Sequence, residues 1–177
     1  MRSIGFALLI ALCIHCAGGE TKVNIELKDM KKQSTLVVKK TIKQSEIAAA
    51  LGEIFGKVFP HFQLKKITPV NLAPMARYSK SAKEGMLDIE GGVIVPEGTK
   101  GEGEIVPSEL PGGKVAFVVH TGPYSDLPKT YEAVKAALAE KGLKDGNISW
   151  EIYISDPGNT KPEELKTEVY ITTEPKK

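Results

Sequence analysis

Two rhythms of apolar and polar residues run along this chain. In SWEIYISDP, Ser149 to Pro157, the character changes at nearly every position, which is the period of a strand with two distinct faces. Trp150, Ile152 and Ile154 share one face; Glu151 and Tyr153 share the other with Ser149 and Ser155. Elsewhere Ile47, Leu51, Ile54 and Val58 recur at spacings of four, three and four, the apolar stripe of a helix. Leu127, Tyr131, Val134 and Leu138 repeat that stripe. Further strands are predicted at KVNIELKDM, from Lys22, at MARYSK (Met75–Lys80), at GMLDIEGGVIV (Gly85–Val95) and at KTEVYITTE (Lys166–Glu174). A short strand at Gly103–Val106 is expected within PEGTKGEGEIVPSELPGG, where Gly and Pro mark turns.

These elements repeat. Laying TLVVKKTIKQSEIAAALGEIFGKV, from Thr35, under VAFVVHTGPYSDLPKTYEAVKAAL, from Val115, aligns Val38 with Val118, Thr41 with Thr121 and Ser45 with Ser125. The two helical stripes coincide without a gap. The same offset sets Asp88 against Glu168. The order is one strand, then βαββ twice, with a linker strand between. That predicts an α+β domain: a duplicated βαββ repeat forming an antiparallel sheet with two helices on one face. The opposite face is left free or curls into a groove. The domain covers 20–177, with halves at about 22–98 and 102–174.

Composition narrows the function. The chain has 177 residues, 41% hydrophobic and 26% charged, enough for one soluble domain with a core. A formal charge of +2, with Lys and Glu interspersed, gives no basic surface for nucleic acid. Residues 1–19 read as a secretory signal peptide: a basic start at Arg2, an apolar run from Ile4 to Ile14, and a small-residue exit at Ala17-Gly18-Gly19. The run is too short for a membrane span. His15 before Cys16 and Leu12 before Cys13 favour cleavage near Gly18 or Gly19 over lipid modification. The expectation is a secreted or periplasmic protein, monomeric and without membrane insertion once the signal is removed. Both cysteines fall in that segment, so the mature domain has no disulfide, thiol nucleophile or Cys-ligated metal. No HxxxH or HExxH spacing suggests a metal, and no cofactor is implied. HTGPYSDL lacks a nucleophile elbow, which weighs against a serine hydrolase. Asn147-Ile148-Ser149 is a glycosylation sequon, meaningful only in a eukaryotic secretory pathway.

One set of motifs, in order, carries a family resemblance: LPGGKVA entering a strand, HTGPYSDL leading into a helix, WEIYISDP, and a closing TEVY strand. QSEIAAALGEIF and ARYSK…LDIEGGVIV continue it into the first half. Together they resemble the GyrI-like small-molecule-binding domain of the DNA-gyrase inhibitor protein and of AraC- and MerR-type regulators. The resemblance implies a duplicated fold with a ligand groove at its pseudo-twofold, taking hydrophobic and often cationic compounds. In drug-sensing members a glutamate on the W-E-x-Y strand contacts the cation, and Glu151 stands at that position. A signal-like segment stands where the regulators carry their DNA-binding part, so promoter control is not expected.

Candidate ligand contacts are therefore Glu151, Tyr153, Tyr78, Glu168, Tyr170 and Tyr124. Glu151 is either a solvated carboxylate or a groove carboxylate; the resemblance favours the groove. Tyr153 and Tyr78 occupy similar places in WEIY and MARY. Glu168 and Tyr170 share a face of the next strand. Tyr124 has a structural role at the strand-to-helix turn as its alternative, with Ser125 or Asp126 capping the helix. His120 reads as a turn histidine bonded to backbone. Trp150, Ile152 and Ile154 are expected to pack beneath the helices. The leading function is capture of a hydrophobic, cationic small molecule. The alternatives are hydrolysis of strained, cyclopropane-bearing electrophiles by the same Glu and Tyr, which some GyrI-like proteins perform, and binding of haem or another tetrapyrrole, as in SOUL-like relatives of the fold.

Overall fold

In the computed structural model, residues 24–176 are described; the expected signal segment lies outside them. The two predicted stripes form the helices α1 (Ile47–Lys65) and α2 (Leu127–Glu140). Each buries its stripe on the sheet, α1 through Ile54, Val58 and Phe62 and α2 through Leu127, Val134 and Leu138. α1 runs through Pro60 and His61 without a break. Before α2, Gly122 (φ 137°) takes a backbone conformation that L side chains rarely adopt and turns the chain into a short 3₁₀ segment. Neither Ser125 nor Asp126 caps α2 with its side chain; Asp126 accepts instead from Lys129 at 2.8 Å.

Eight strands make one sheet: β1 (Glu26–Met30), β2 (Gln33–Ile42), β3 (Met75–Lys80), β4 (Leu87–Ile94), β5 (Val106–Leu110), β6 (Gly113–Thr121), β7 (Leu143–Tyr153) and β8 (Lys166–Pro175). Their order is β1-β6-β8-β7-β3-β4-β2-β5, antiparallel throughout. The linker strand is thus Val106–Leu110, just after the expected Gly103–Val106, where a single bridge joins Glu102 and Ile105.

The repeat is visible in the pairing. β2, α1, β3 and β4 correspond to β6, α2, β7 and β8, and the two sets meet where β3 pairs with β7. The leading strands are exchanged: β1 pairs with β6 of the other half, and β5 with β2. In register, Lys39 opposes Glu90 as Val119 opposes Glu168, so Glu168 corresponds to Glu90 and not to Asp88. Ladder pairing likewise matches Tyr78 with Tyr153 and Ala76 with Glu151.

The sheet is strongly curled. Only Lys31 and Lys32 separate β1 from β2, and only Pro111 and Gly112 separate β5 from β6, although these strands lie toward opposite ends of the sheet order. The edges must approach for such short links to span them. Val37, Met75, Leu110, Val115, Trp150, Ile152 and Tyr170, drawn from both ends of the sheet, pack in one cluster inside the curl. The face away from the helices is therefore neither free nor a groove; it is a filled core. Trp150 and Ile152 belong to that interior rather than beneath the helices, and Ile154 is 50% exposed. It is the Glu151 face that the helices cover. Gly91 in β4 lets α1 settle there, since a Cβ would stand 2.6 Å from Ile54 Cγ2.

Candidate functional site: a glutamate held by three tyrosines

β7 alternation turns Glu151 and Tyr153 toward the helices, and β3 presents Tyr78 beside them. From above, α2 lowers Tyr131. The Tyr153 hydroxyl donates to Glu151 Oε2 at 2.6 Å and that of Tyr78 to the same oxygen at 3.1 Å. The Tyr131 hydroxyl donates to Oε1 at 3.0 Å, and the Tyr78 and Tyr153 hydroxyls lie 3.1 Å apart. Directly across the ladder stands Ala76, which contributes no polar atom.

Glu151 is only 5% exposed. Burial pushes its carboxyl above the ordinary glutamate range, because the charged form loses its water. Hydrogen bonds from Tyr153, Tyr131 and Tyr78 work against that shift without cancelling it. The three phenols are held well above their usual range, first by burial and then by the glutamate charge, except that a hydrogen bond from a neighbouring side chain opposes the shift at Tyr78 and Tyr131. They remain donors at physiological pH.

Around the cluster the two ends differ. Beyond Tyr153 the ring of Tyr124 meets it edge-on at 5.5 Å, and Phe55 does so at 6.1 Å, with Phe59 beyond Phe55. Tyr124 is 37% exposed, so it forms a rim. Beyond Tyr78 lies a depression of about 120 Å³ that also touches Tyr131, Lys80, Lys135, Asn147 and Ser149. A larger hollow of about 510 Å³, between residues 98–101 and β5, shares no residue with the glutamate cluster. His120 is buried nearby, its Nδ1 2.7 Å from Thr130 Oγ1 and its Nε2 3.2 Å from the Pro123 carbonyl oxygen, the backbone bond its sequence context suggested. Among the described residues no three His, Cys, Asp or Glu side chains gather as metal ligands do.

The structure thus brings together Glu151, Tyr153 and Tyr78, with Tyr124 at the rim. It does not bring Glu168 or Tyr170 to them. Glu151 opposes Val169 on β8, so Glu168 and Tyr170 fall on the other face, inside the curl. There the Tyr170 hydroxyl donates to Glu168 at 2.8 Å and its ring stacks on Trp150 at 5.1 Å. Tyr131 was missed by sequence reasoning, which took it as one more apolar position of the α2 stripe. A phenol on a buried stripe needs an acceptor, and that was the available signal.

The GyrI-like small-molecule-binding domain matches residues 23–173. The chain belongs to the GyrI-like family. The fold recurs in EcmrR, solved by cryo-EM in a DNA complex, at TM-score 0.65 and 20% identity. That match covers 87% of this chain but spans 58% of the EcmrR chain. SAV2435, solved bound to tetraphenylphosphonium, has TM-score 0.65 and 13% identity, covering 85% of this chain and 94% of that one. A hydrolase from Listeria innocua has TM-score 0.61 and 14% identity, with coverages of 86% and 93%. At these identities the likeness is one of fold. A comparison with curated proteins gives no match.

Proposed function

We propose that this GyrI-like protein binds a hydrophobic, cationic small molecule between α1 and α2, with Glu151 as the charge-selecting group. One contrast carries this. Among the described residues two glutamates are buried, Glu90 and Glu151. Glu90 is paired with Arg77 at 2.8 Å and Lys39 at 3.0 Å. Among the described residues Glu151 has no ion pair: it accepts hydrogen bonds from neutral hydroxyls only, and His120 acts on its charge from beyond ion-pair distance. A buried carboxylate without a cation is costly, and a ligand cation would supply what the protein leaves out. The rings of Tyr153, Tyr124 and Phe55 would add cation–π attraction and apolar contact. The tetraphenylphosphonium complex of SAV2435 supports the ligand class. His120 has both ring nitrogens engaged, which favours an organic cation over a haem iron.

The test is a titration with tetraphenylphosphonium and with neutral triphenylphosphine oxide. Glu151→Gln should weaken the cation by about tenfold, as expected for one charge-assisted contact, and spare the neutral compound. Equal weakening of both would assign Glu151 a shape role, and no weakening would remove it from the site.

Hydrolysis is the second reading, favoured by the same carboxylate with its raised proton affinity, which suits a general base. The Listeria innocua hydrolase of the same fold supports it. On that reading Glu151→Gln abolishes turnover of a strained electrophile while leaving its binding intact. The basic start and apolar run at residues 1–19 support export; mass spectrometry of the protein from its producing cells should show cleavage before about Thr21.

A further inference from the structure

The internal repeat makes the two ends of the proposed groove comparable residue by residue. Tyr78 at one end corresponds to Tyr153 at the other. At the same offset as the helix starts, Lys135 on α2 corresponds to Phe55 on α1, and Tyr131 to Leu51. A symmetric groove would have like ends. This one has an aromatic end and a lysine end.

At the aromatic end, Phe55, Tyr124 and Tyr153 present rings and edges. At the other, the depression beside Tyr78 and Tyr131 carries Lys80 and Lys135, with Asp145 the one acidic side chain on its wall. Lys135 shares its charge with Glu132 at 3.0 Å. Lys80 has no ion-pair partner among the described residues. Asn147 and Ser149 add hydrogen-bonding side chains to the same wall. About 120 Å³ is room for a carboxylate with its water, not for a ring system.

We infer that the lysine end is a second subsite, which takes an anionic group on the ligand while the aromatic end takes its rings. This rests on the proposed cation groove and narrows its ligand class to aromatic cations that also carry a carboxylate. A cation approaching Glu151 meets lysine repulsion from one side and ring faces from the other, so the ligand has one orientation. Its positive centre lies toward Tyr153 and Tyr124. Its anionic end points past Tyr78 to Lys80 and Lys135. A second positive group in place of that anion is disfavoured.

Rhodamine 110 and rhodamine 123 test this, because they share one cationic ring system and differ by a free carboxylate against its methyl ester. Fluorescence anisotropy at low ionic strength would follow both dyes on the wild type, on the double variant Lys80→Glu/Lys135→Glu and on Phe55→Ala. Relative to wild type, the double variant should lose about threefold or more in preference for rhodamine 110, and added salt should erase the wild-type preference. Phe55→Ala should weaken both dyes alike. An unchanged preference in the double variant, with both dyes still bound, would overturn the subsite alone. Failure of both dyes to bind the wild type would overturn the groove and the subsite together.

Discussion

Ala76 and Glu151 face each other across β3 and β7 at the one rung where the internal twofold maps each residue onto its partner. Any residue at this position in a symmetric ancestor would have faced its own copy. Two glutamates there would be like charges on directly opposed strand positions, with Cβ atoms about 5 Å apart. A single buried carboxylate on the axis requires the halves to differ, and Ala76 is that difference. The neighbouring pair, Tyr78 and Tyr153, kept its symmetry, so both phenols reach the same oxygen.

Ala76→Glu should therefore create a coupled carboxylate pair. At neutral pH the expected cost is about 3 kcal/mol or more, and one of the two acids should hold its proton well into the neutral range. Ala76→Gln adds the same bulk without charge and should cost about 1–3 kcal/mol, the range for overpacking a core. Urea unfolding of both variants at neutral and acidic pH separates the terms: the glutamate variant recovers as pH falls and the glutamine variant does not.

The pH dependence of the wild type has a definite sign. Burial raises the native pKa of Glu151, so the folded state binds its proton more tightly than the unfolded state. This group's contribution to stability is complete below the ordinary value of 4.5 and declines as pH rises through the raised native pKa. Above that it stays constant. The stability difference between wild type and Glu151→Gln should fall over that window and then level off in pH-resolved unfolding experiments. A difference that grows with pH would mean that the three phenols outweigh burial. A bound cation favours the ionised acid, so its affinity should rise through the same window.

Among the phenols, Tyr153 makes the shortest bond to the carboxylate, ahead of Tyr131 and Tyr78, and so does most to hold its pKa down. Tyr153→Phe should accordingly raise the Glu151 pKa most, followed by Tyr131→Phe and then Tyr78→Phe. Carboxyl ¹³C titrations of labelled glutamate read this order directly. A flat response to all three would break the hydrogen-bonded cluster described here.

Ile152→Ala empties a site inside the curl and should cost about 2–5 kcal/mol. Because Ile152 points away from Glu151, cation affinity measured on the folded fraction should not change. Trp150 is the only tryptophan and stacks on Tyr170 in the same interior, so its fluorescence follows unfolding of that core. A ligand contact by Ile152 would show as a binding loss larger than the loss of stability explains.

Alternation within a strand shows which side chains travel together, and here it separated Glu151 and Tyr153 from Trp150 and Ile152 correctly. It does not show which set the helices cover. The more apolar set was expected beneath them, but curling buries both faces, and the helices cover the set that carries the polar cluster. Alternation also leaves the register between strands open, and a shift of one residue exchanges faces. Glu168 and Tyr170 went astray for that reason: β8 sets Val169 against Glu151. The duplication was legible because β2 and α1 match β6 and α2 without a gap. The later strands drift from that offset, which is why Asp88 was matched to Glu168 in place of Glu90. Tyr131 stayed hidden because a helical stripe is scored by hydrophobicity, and tyrosine passes that test while carrying a donor.

The position of β8 has a consequence for the life of the chain before it is folded. This strand, Lys166–Pro175, is wedged between β6 and β7, so the second half cannot close until those residues have been synthesised. The first half cannot close without β5, and β1 waits for β6. The β6–β8, β2–β5 and β1–β6 contacts join segments far apart in sequence, which makes for slow folding. A nascent polypeptide built this way stays loose until late in translation. That is the state the proposed export would need, since a secretion channel threads open chains and stalls on finished domains.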